Sequence, residues 1–457
     1  MVDVNRARFD AIPSRLSSPA AARFWLAVIL TGLATGLGAI VLTMLLQEVQ
    51  KLVWGGTGTD ILAMAQHASA RRHVLAMLGA GILVGLGQIA LKQLSSANGI
   101  DTTAAIWFYA GRLPALRTLG SAVLSIFVVG MGASLGREGA PKQAGAVFAN
   151  FFCDRARLSD EQRRLLVACA AGAGMSAAYG VPLGGAIFSI EVMRGILALR
   201  YVLPALVMSL IATAVSWIAL PDAPTYTIPA FASSASVMVW ALLAGPLAGV
   251  VSVGYIRVIA WADRNKPHER LRIVAPAVVL GSLGIVSIWF PQILGNGRDV
   301  SQMAFTVGFV PGLALMLLVL KPLATVLCVR SGTPGGLFTP SLSVGALLGW
   351  LLGYAWSWFW PGVPPGLFAL LGAGAVLAAT TQGPVSAVVL MMELTGRDRS
   401  FILPLLLAVC GATLVSRSIE ARSIYDAKLT DKEVQARQKL RDLPQGEHAA
   451  AERMMAE

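Results

Sequence analysis

The sequence predicts an all-α integral membrane protein built from two related halves of tilted and broken helices, and three observations predict it. Of 457 residues, 56% are hydrophobic and only 13% charged, with a mean hydropathy of +0.69. That is too apolar for a soluble globule of several domains. Apolar runs recur at 24–47, 73–91, 119–136, 164–190, 202–220, 236–260, 272–294, 305–329, 342–360, 366–380 and 401–415, and crossing a bilayer takes about 20 such residues. Several runs are short or interrupted by Gly and Pro. The chain also echoes itself: Gly172-Ala173-Gly174, Ala177-Ala178, Pro182 and Glu191 are answered by Gly372-Ala373-Gly374, Ala378-Ala379, Pro384 and Glu393. Glu138, in one Gly-rich turn, precedes Glu191 by 53 residues, and Phe338, in another, precedes Glu393 by 55. Such an offset is the pattern of a transporter made of duplicated halves, and the residues alone leave both parallel and inverted halves open.

In chain order, residues 1–22 form a polar, basic segment with no short apolar stretch of signal-peptide type, so the first run is expected to stay in the membrane as a helix. A first membrane repeat over 23–225 and a second over 226–420 follow, and residues 421–457 form a charged tail, read as a short helix with a frayed end. The net charge of +12 comes from Lys and Arg mostly outside the apolar runs, as at Arg71, Arg72, Arg163 and Arg164. These read as solvated or headgroup-facing charges, with both termini on the cytoplasmic side of the membrane. No basic stretch is interleaved with aromatics, so nucleic acid is not expected as a partner. Cys153, Cys169, Cys328 and Cys410 lack metal-type spacing and read as core residues. His67, His73, His268 and His448 have no partner at ligand spacing, so neither a metal nor a cofactor is expected.

The chemistry concentrates in two turns. Gly136-Arg137-Glu138-Gly139-Ala140-Pro141 places an ionisable pair between two apolar stretches. A charge at membrane depth is costly and marks a functional site. Flanking glycines allow a sharp turn that exposes amide hydrogens, and a helix starting there aims its positive end at an anion. In the second half, Ser331, Pro334, Gly335-Gly336-Leu337-Phe338-Thr339 and Pro340 read as a break in a helix rather than a packing face of small residues. If the halves face each other, these turns bring two helix N-termini to one point. A dehydrated anion would be held there by amides and hydroxyls, weakly enough to leave again. An intramembrane enzyme would need a nucleophile with a base, a carboxylate pair or a metal site within the spans, and the runs offer none beside Glu138.

These residues resemble the CLC family of chloride channels and proton-coupled chloride antiporters, through Gly136-Arg137-Glu138-Gly139, Ser331 to Pro340, the Pro182 to Glu191 region and Tyr425 after the last span. Within that family the chain is most similar to the bacterial ClcB-type branch, through Gly139-Ala140 and Glu191-Val192. The resemblance implies a CLC-type fold of two inverted repeats and a homodimer in the lipid bilayer, with one pore per subunit and chloride bound as the transported ion. It implies that Glu138 is the gate and competes with the anion for its site. It further implies that backbone amides of Arg137 to Gly139 and of Leu337, Phe338 and Thr339 line the anion sites, with the Tyr425 hydroxyl bounding the inner one.

Three departures bear on mechanism. Where the family often carries a serine that touches the central anion, this chain has Ala97-Asn98-Gly99-Ile100-Asp101. Asn98 can donate its amide N–H to an anion or cap a helix. The inward proton glutamate of the antiporters is replaced by Val192, with Glu191 adjacent. Valine carries no proton, so channel-like or weakly proton-coupled transport is expected over strict chloride/proton exchange. Lys142, four residues after Glu138, shares its helical face. It is expected either to favour the ionised gate or to snorkel to an interface.

Overall fold

In the computed structural model, the described residues are 12–13, 18–56, 60–95, 99–231, 234–268, 271–396 and 401–442. Most of the N-terminal segment, Asn98 and the tail beyond 442 lie outside them. The first half runs α1 (Pro19–Trp54), α2 (Ile61–Gln66), α3 (Ala70–Leu94), α4 (Thr102–Phe108), α5 (Ala115–Gly130), α6 (Gly139–Ala156), α7 (Asp160–Tyr179), α8 (Pro182–Phe188) and α9 (Leu199–Ser216). The second half follows as α10 (Ala235–Arg264), α11 (Leu271–Val286), α12 (Arg298–Phe305), α13 (Pro311–Ser331), α14 (Phe338–Trp356), α15 (Pro365–Thr381), α16 (Pro384–Thr395) and α17 (Ile402–Ile419). A tail helix α18 (Asp431–Asp442) closes the described chain, and no strand occurs among the described residues.

Local chemistry sets these boundaries. Ser18 caps α1 by accepting from the Ala21 amide, with Pro19 at its first position, and Ser159 and Gln162 form a capping box at the start of α7. At 36 residues α1 is about 54 Å long, well beyond a ~30 Å hydrocarbon core, so it crosses at a tilt. Seven helices among the described residues are long and apolar enough to span a membrane. The run at 164–190 is two helices, because Gly180 takes a left-handed turn (φ 68°) and Pro182 restarts the chain as α8. Gln382 (φ 56°) and Pro384 make the same break between α15 and α16. α7 and α15, buried along most of their length, form the centre of each half, while the exposed leucines and valines of α1, α3 and α10 face lipid. Small residues hold the layers close: a Cβ on Gly145 would collide with the Ala170 carbonyl of α7, and one on Gly345 with the Gly372 carbonyl of α15.

The halves interlock through matched glutamates. Glu191 accepts from the Val385 amide (3.2 Å) and from the Ser386 amide and hydroxyl (both 2.6 Å), which caps the N-terminus of α16. Glu393 accepts from the Leu183 and Gly184 amides (3.0 and 2.6 Å) and caps α8. Each half therefore neutralises the helix start that the other half's proline creates. The two Gly-rich turns also meet, as an antiparallel bridge in which Gly136 N–H donates to Gly336 O (2.7 Å) and Gly336 N–H to Gly136 O (2.8 Å).

Two sequence expectations need correction. Cys153, Cys169 and Cys328 are buried, but Cys410 is exposed on α17 and is no core residue. Arg163 and Arg164, expected as solvated or headgroup-facing charges, are buried near the start of α7. Lys321 is fully buried and donates to the carbonyls of Ile293, Leu294 and Gly295 at 2.8–3.1 Å. It ties α13 to the loop before α12.

Candidate functional site

The bridge between Gly136 and Gly336 brings the starts of α6 and α14 to one point inside the protein. Each helix has a proline at its third position, Pro141 and Pro340, which lacks an N–H. The orphan donors at this meeting point thus come from the first residues, Gly139 and Ala140 on one side and Phe338 and Thr339 on the other.

Glu138 is fully buried between them. Its Oε1 accepts from the Phe338 amide at 2.7 Å, while Oε2 accepts from the Tyr179 hydroxyl and the Thr339 hydroxyl, both at 3.2 Å. Tyr179 and Thr339 also bond each other at 2.9 Å. Here the carboxylate oxygens stand in for an anion: they occupy a point where one amide, two hydroxyls and two helix dipoles converge. A Cβ on either Gly136 or Gly336 would overlap Oε1, so both positions are glycine because the carboxylate folds between them.

Two cavities of about 240 Å³ each adjoin the carboxylate's neighbours, one reaching Tyr179 and the other Gly139 and Gly336. One is lined by Gln47, Gln50, Arg137, Tyr179, Arg298 and Asp299. The Arg137 guanidinium lies 4.9 Å over the Tyr179 ring, with its Nε unbonded. The other, on the face carrying the tail, is lined by Asp101, Lys142, Gly336, Leu337, Tyr425 and Lys428 among others. The last turns of α1 line the first cavity and those of α10 the second, as inverted halves require. Tyr425 packs edge-on against Phe188 at 5.5 Å, and its buried hydroxyl has no partner among the described residues.

The sequence profile of the voltage gated chloride channel family matches residues 80–417. The chain belongs to this family. A chloride channel protein of Ralstonia nicotianae named for its likeness to ClcB is 31% identical over 87% of this chain and 95% of its own length. An H(+)/Cl(-) exchange transporter ClcA of Cronobacter sakazakii is 30% identical over 66% of this chain and 67% of its own length. Among solved structures, a slow cyanobacterial Cl-/H+ antiporter superposes with a TM-score of 0.77 at 22% identity, covering 90% of this chain and 98% of that one. A CLC-type fluoride/proton antiporter does so at 0.71 and 19%, covering 90% and 99%. Both share the CLC fold.

Within this CLC protein the residues expected at the site fall into three groups. Glu138, Gly139, Leu337, Phe338 and Thr339 come together at the turns, with Arg137 at the edge of one cavity and Tyr425 and Lys142 at the other. Val192 and Glu191 lie away from the carboxylate's ligands. Val192 is buried, and its carbonyl accepts from Arg437 of α18 at 2.8 Å, while Glu191 is engaged as the cap of α16. Asn98 is outside the described residues. Sequence reasoning missed Tyr179, which ends an apolar helix, where an aromatic reads as core. The signal was its place just before the Gly180 to Pro182 break.

Proposed function

We propose that the protein carries chloride or a similar monovalent anion across the membrane through a pore in each subunit of a homodimer, gated by Glu138, in a channel-like or weakly proton-coupled manner. The observation that carries this reading is the burial of the Glu138 carboxylate among the Phe338 amide, the Tyr179 hydroxyl and the Thr339 hydroxyl, with a cavity reaching Tyr179 and another reaching Gly139 and Gly336. An ionised carboxylate is an acceptor only, as an inorganic anion is. The two compete for one set of donors, so the pore is blocked while the carboxylate holds them. A protonated Glu138 places a donor among donors and gives up the position to an anion. Lys142, one turn further along α6, acts on the gate through its charge.

Weak coupling is favoured because Val192 has no ionisable group and Glu191 spends its oxygens on α16. The alternative is strict chloride/proton antiport, as the names of the exchange-transporter relatives suggest. The proposed membrane repeats run over 23–225 and 226–420. The inner membrane is the proposed setting, with the tail face cytoplasmic, since Arg257, Arg264, Arg422 and Lys428 gather there. Chloride efflux from proteoliposomes with simultaneous pH recording tests the reading. Wild type releases chloride with little proton counterflow, and Glu138→Ala releases it without acid dependence. A fixed proton-to-chloride ratio in wild type would favour strict antiport, and no chloride release would end the proposal.

A further inference from the structure

Lys142 lies in the first turn of α6 and is only 7% exposed, so it does not snorkel to a surface. A cation there faces the positive end of its own helix, where an acid is the usual preference, and α6 has no acid in that turn. Its ammonium sits 3.9 Å from the Tyr425 ring centroid and 5.1 Å from that of Phe188. Those ring faces offset part of the cost of desolvation. It makes no hydrogen bond or ion pair among the described residues. The charged groups closest in effect are Asp101, Glu138 and Lys428. Asp101 is taken by Lys428 at 2.9 Å, and Glu138 is held by its own three donors. Lys142 shares its cavity with the Tyr425 hydroxyl, a buried polar atom that also has no partner.

We propose that Lys142 is a charged ligand of the inner anion position that the Tyr425 hydroxyl bounds, where one monovalent inorganic anion lies between the ammonium and that hydroxyl. The inference deepens the anion-transport reading and rests on it. It makes sense of a cation at the wrong end of a helix dipole: the ammonium and the positive end of α6 both favour a negative charge in this cavity. It also gives a charge balance. With Glu138 ionised in its pocket, the Glu138 and Lys142 charges cancel; when the gate withdraws, an anion beside Lys142 restores neutrality. Anion occupancy here and gate opening therefore favour each other. A full charge in place of dipoles holds the anion more tightly and slows its release.

Calorimetric titration of purified protein with chloride tests this, in a Glu138→Gln background so that the gate charge does not compete. Lys142→Met is expected to weaken chloride binding about tenfold or more, and Lys142→Arg to stay within about threefold. Equal affinity in a folded Lys142→Met protein overturns the proposal. Should that variant unfold, bromide-soaked crystals of the Lys142 protein decide: an anomalous peak between Nζ of Lys142 and Oη of Tyr425 supports it, and density elsewhere in the pore with none there overturns it. Wild-type proteoliposomes separate the two readings. Protein that transports chloride but binds it without regard to Lys142 sinks this inference alone, whereas protein that transports none sinks the function beneath it.

Discussion

The two halves of the molecule share a scaffold and differ in chemistry. Gly136 and Gly336 face each other across the bridge, Pro141 and Pro340 occupy the same position in their helices, and Glu191 and Glu393 cap one another's partner helices. Everything that assembles the meeting point is therefore present twice. What acts there is present once: the first half supplies Glu138, Lys142 and Tyr179, and the second supplies the Phe338 amide and the Thr339 hydroxyl that receive the carboxylate. Duplication builds a point where two positive helix ends converge. Divergence then places one acid in it, so that the proposed pore has a single gate rather than two.

The largest effect should come from breaking the glycine pair. A Cβ at Gly136 or Gly336 overlaps the same oxygen of Glu138, and at Gly336 the three atoms nearest that Cβ all belong to Glu138. Gly336→Ala should displace the carboxylate, raise chloride efflux at neutral pH toward the Glu138→Ala level and cost roughly 1–3 kcal/mol in thermal unfolding, the range for overpacking a filled core. Adding Glu138→Ala should relieve that cost, because the space is then free. Equal destabilisation by Gly336→Ala in both backgrounds would show that the carboxylate is not what requires glycine there.

How much of this could be read from the residues follows from the range of the forces involved. The spans, the breaks at Pro182 and Pro384 and the position of Glu138 are local matters of apolar runs, prolines and glycines, and they stand in the sequence. The meeting of the turns could be anticipated because the offset of about 200 residues that relates the halves also relates Gly136 to Gly336. Tyr179, Lys321 and the reciprocal caps could not, since each depends on a partner far along the chain. Nothing near Glu191 announces Ser386, and nothing near Lys321 announces three carbonyls before α12. A buried lysine reads as an ion attractor until the carbonyls that satisfy it are known.

The matched caps sharpen the comparison at intermediate size. Glu191→Gln and Glu393→Gln each remove a charged acceptor from a helix N-terminus, and each should cost roughly 1–3 kcal/mol of stability in thermal unfolding. If both are structural, the losses are similar and neither changes the proton-to-chloride ratio in liposomes. Loss of proton movement in Glu191→Gln but not in Glu393→Gln would break the symmetry and make Glu191 a proton carrier.

The smallest effect is expected where the halves repeat a motif with opposite electrostatics. Asn98-Gly99-Ile100-Asp101 before α4 corresponds to Asn296-Gly297-Arg298-Asp299 at α12. Burial works against Asp101, yet the Lys428 ammonium at 2.9 Å holds its carboxyl below the usual range. Asp299 has an acid for a neighbour: burial first, then Asp60, pushes its carboxyl up to about 7. Asp299 keeps its proton in the folded protein to about pH 7 and loses it near pH 4 when unfolded. Stability from this group therefore falls as pH rises across that window. Around pH 7, as folded Asp299 ionises, the cavity that also holds Arg137 and Arg298 gains a negative charge. In a Glu138→Ala background, which removes titration of the gate, chloride flux from that side should fall about twofold between pH 6 and 8 at low ionic strength. Salt should flatten the dependence by screening, and Asp299→Asn should abolish it. A slope that survives Asp299→Asn would assign the titration to another group in the cavity and leave the two Asn-Gly-x-Asp motifs functionally alike.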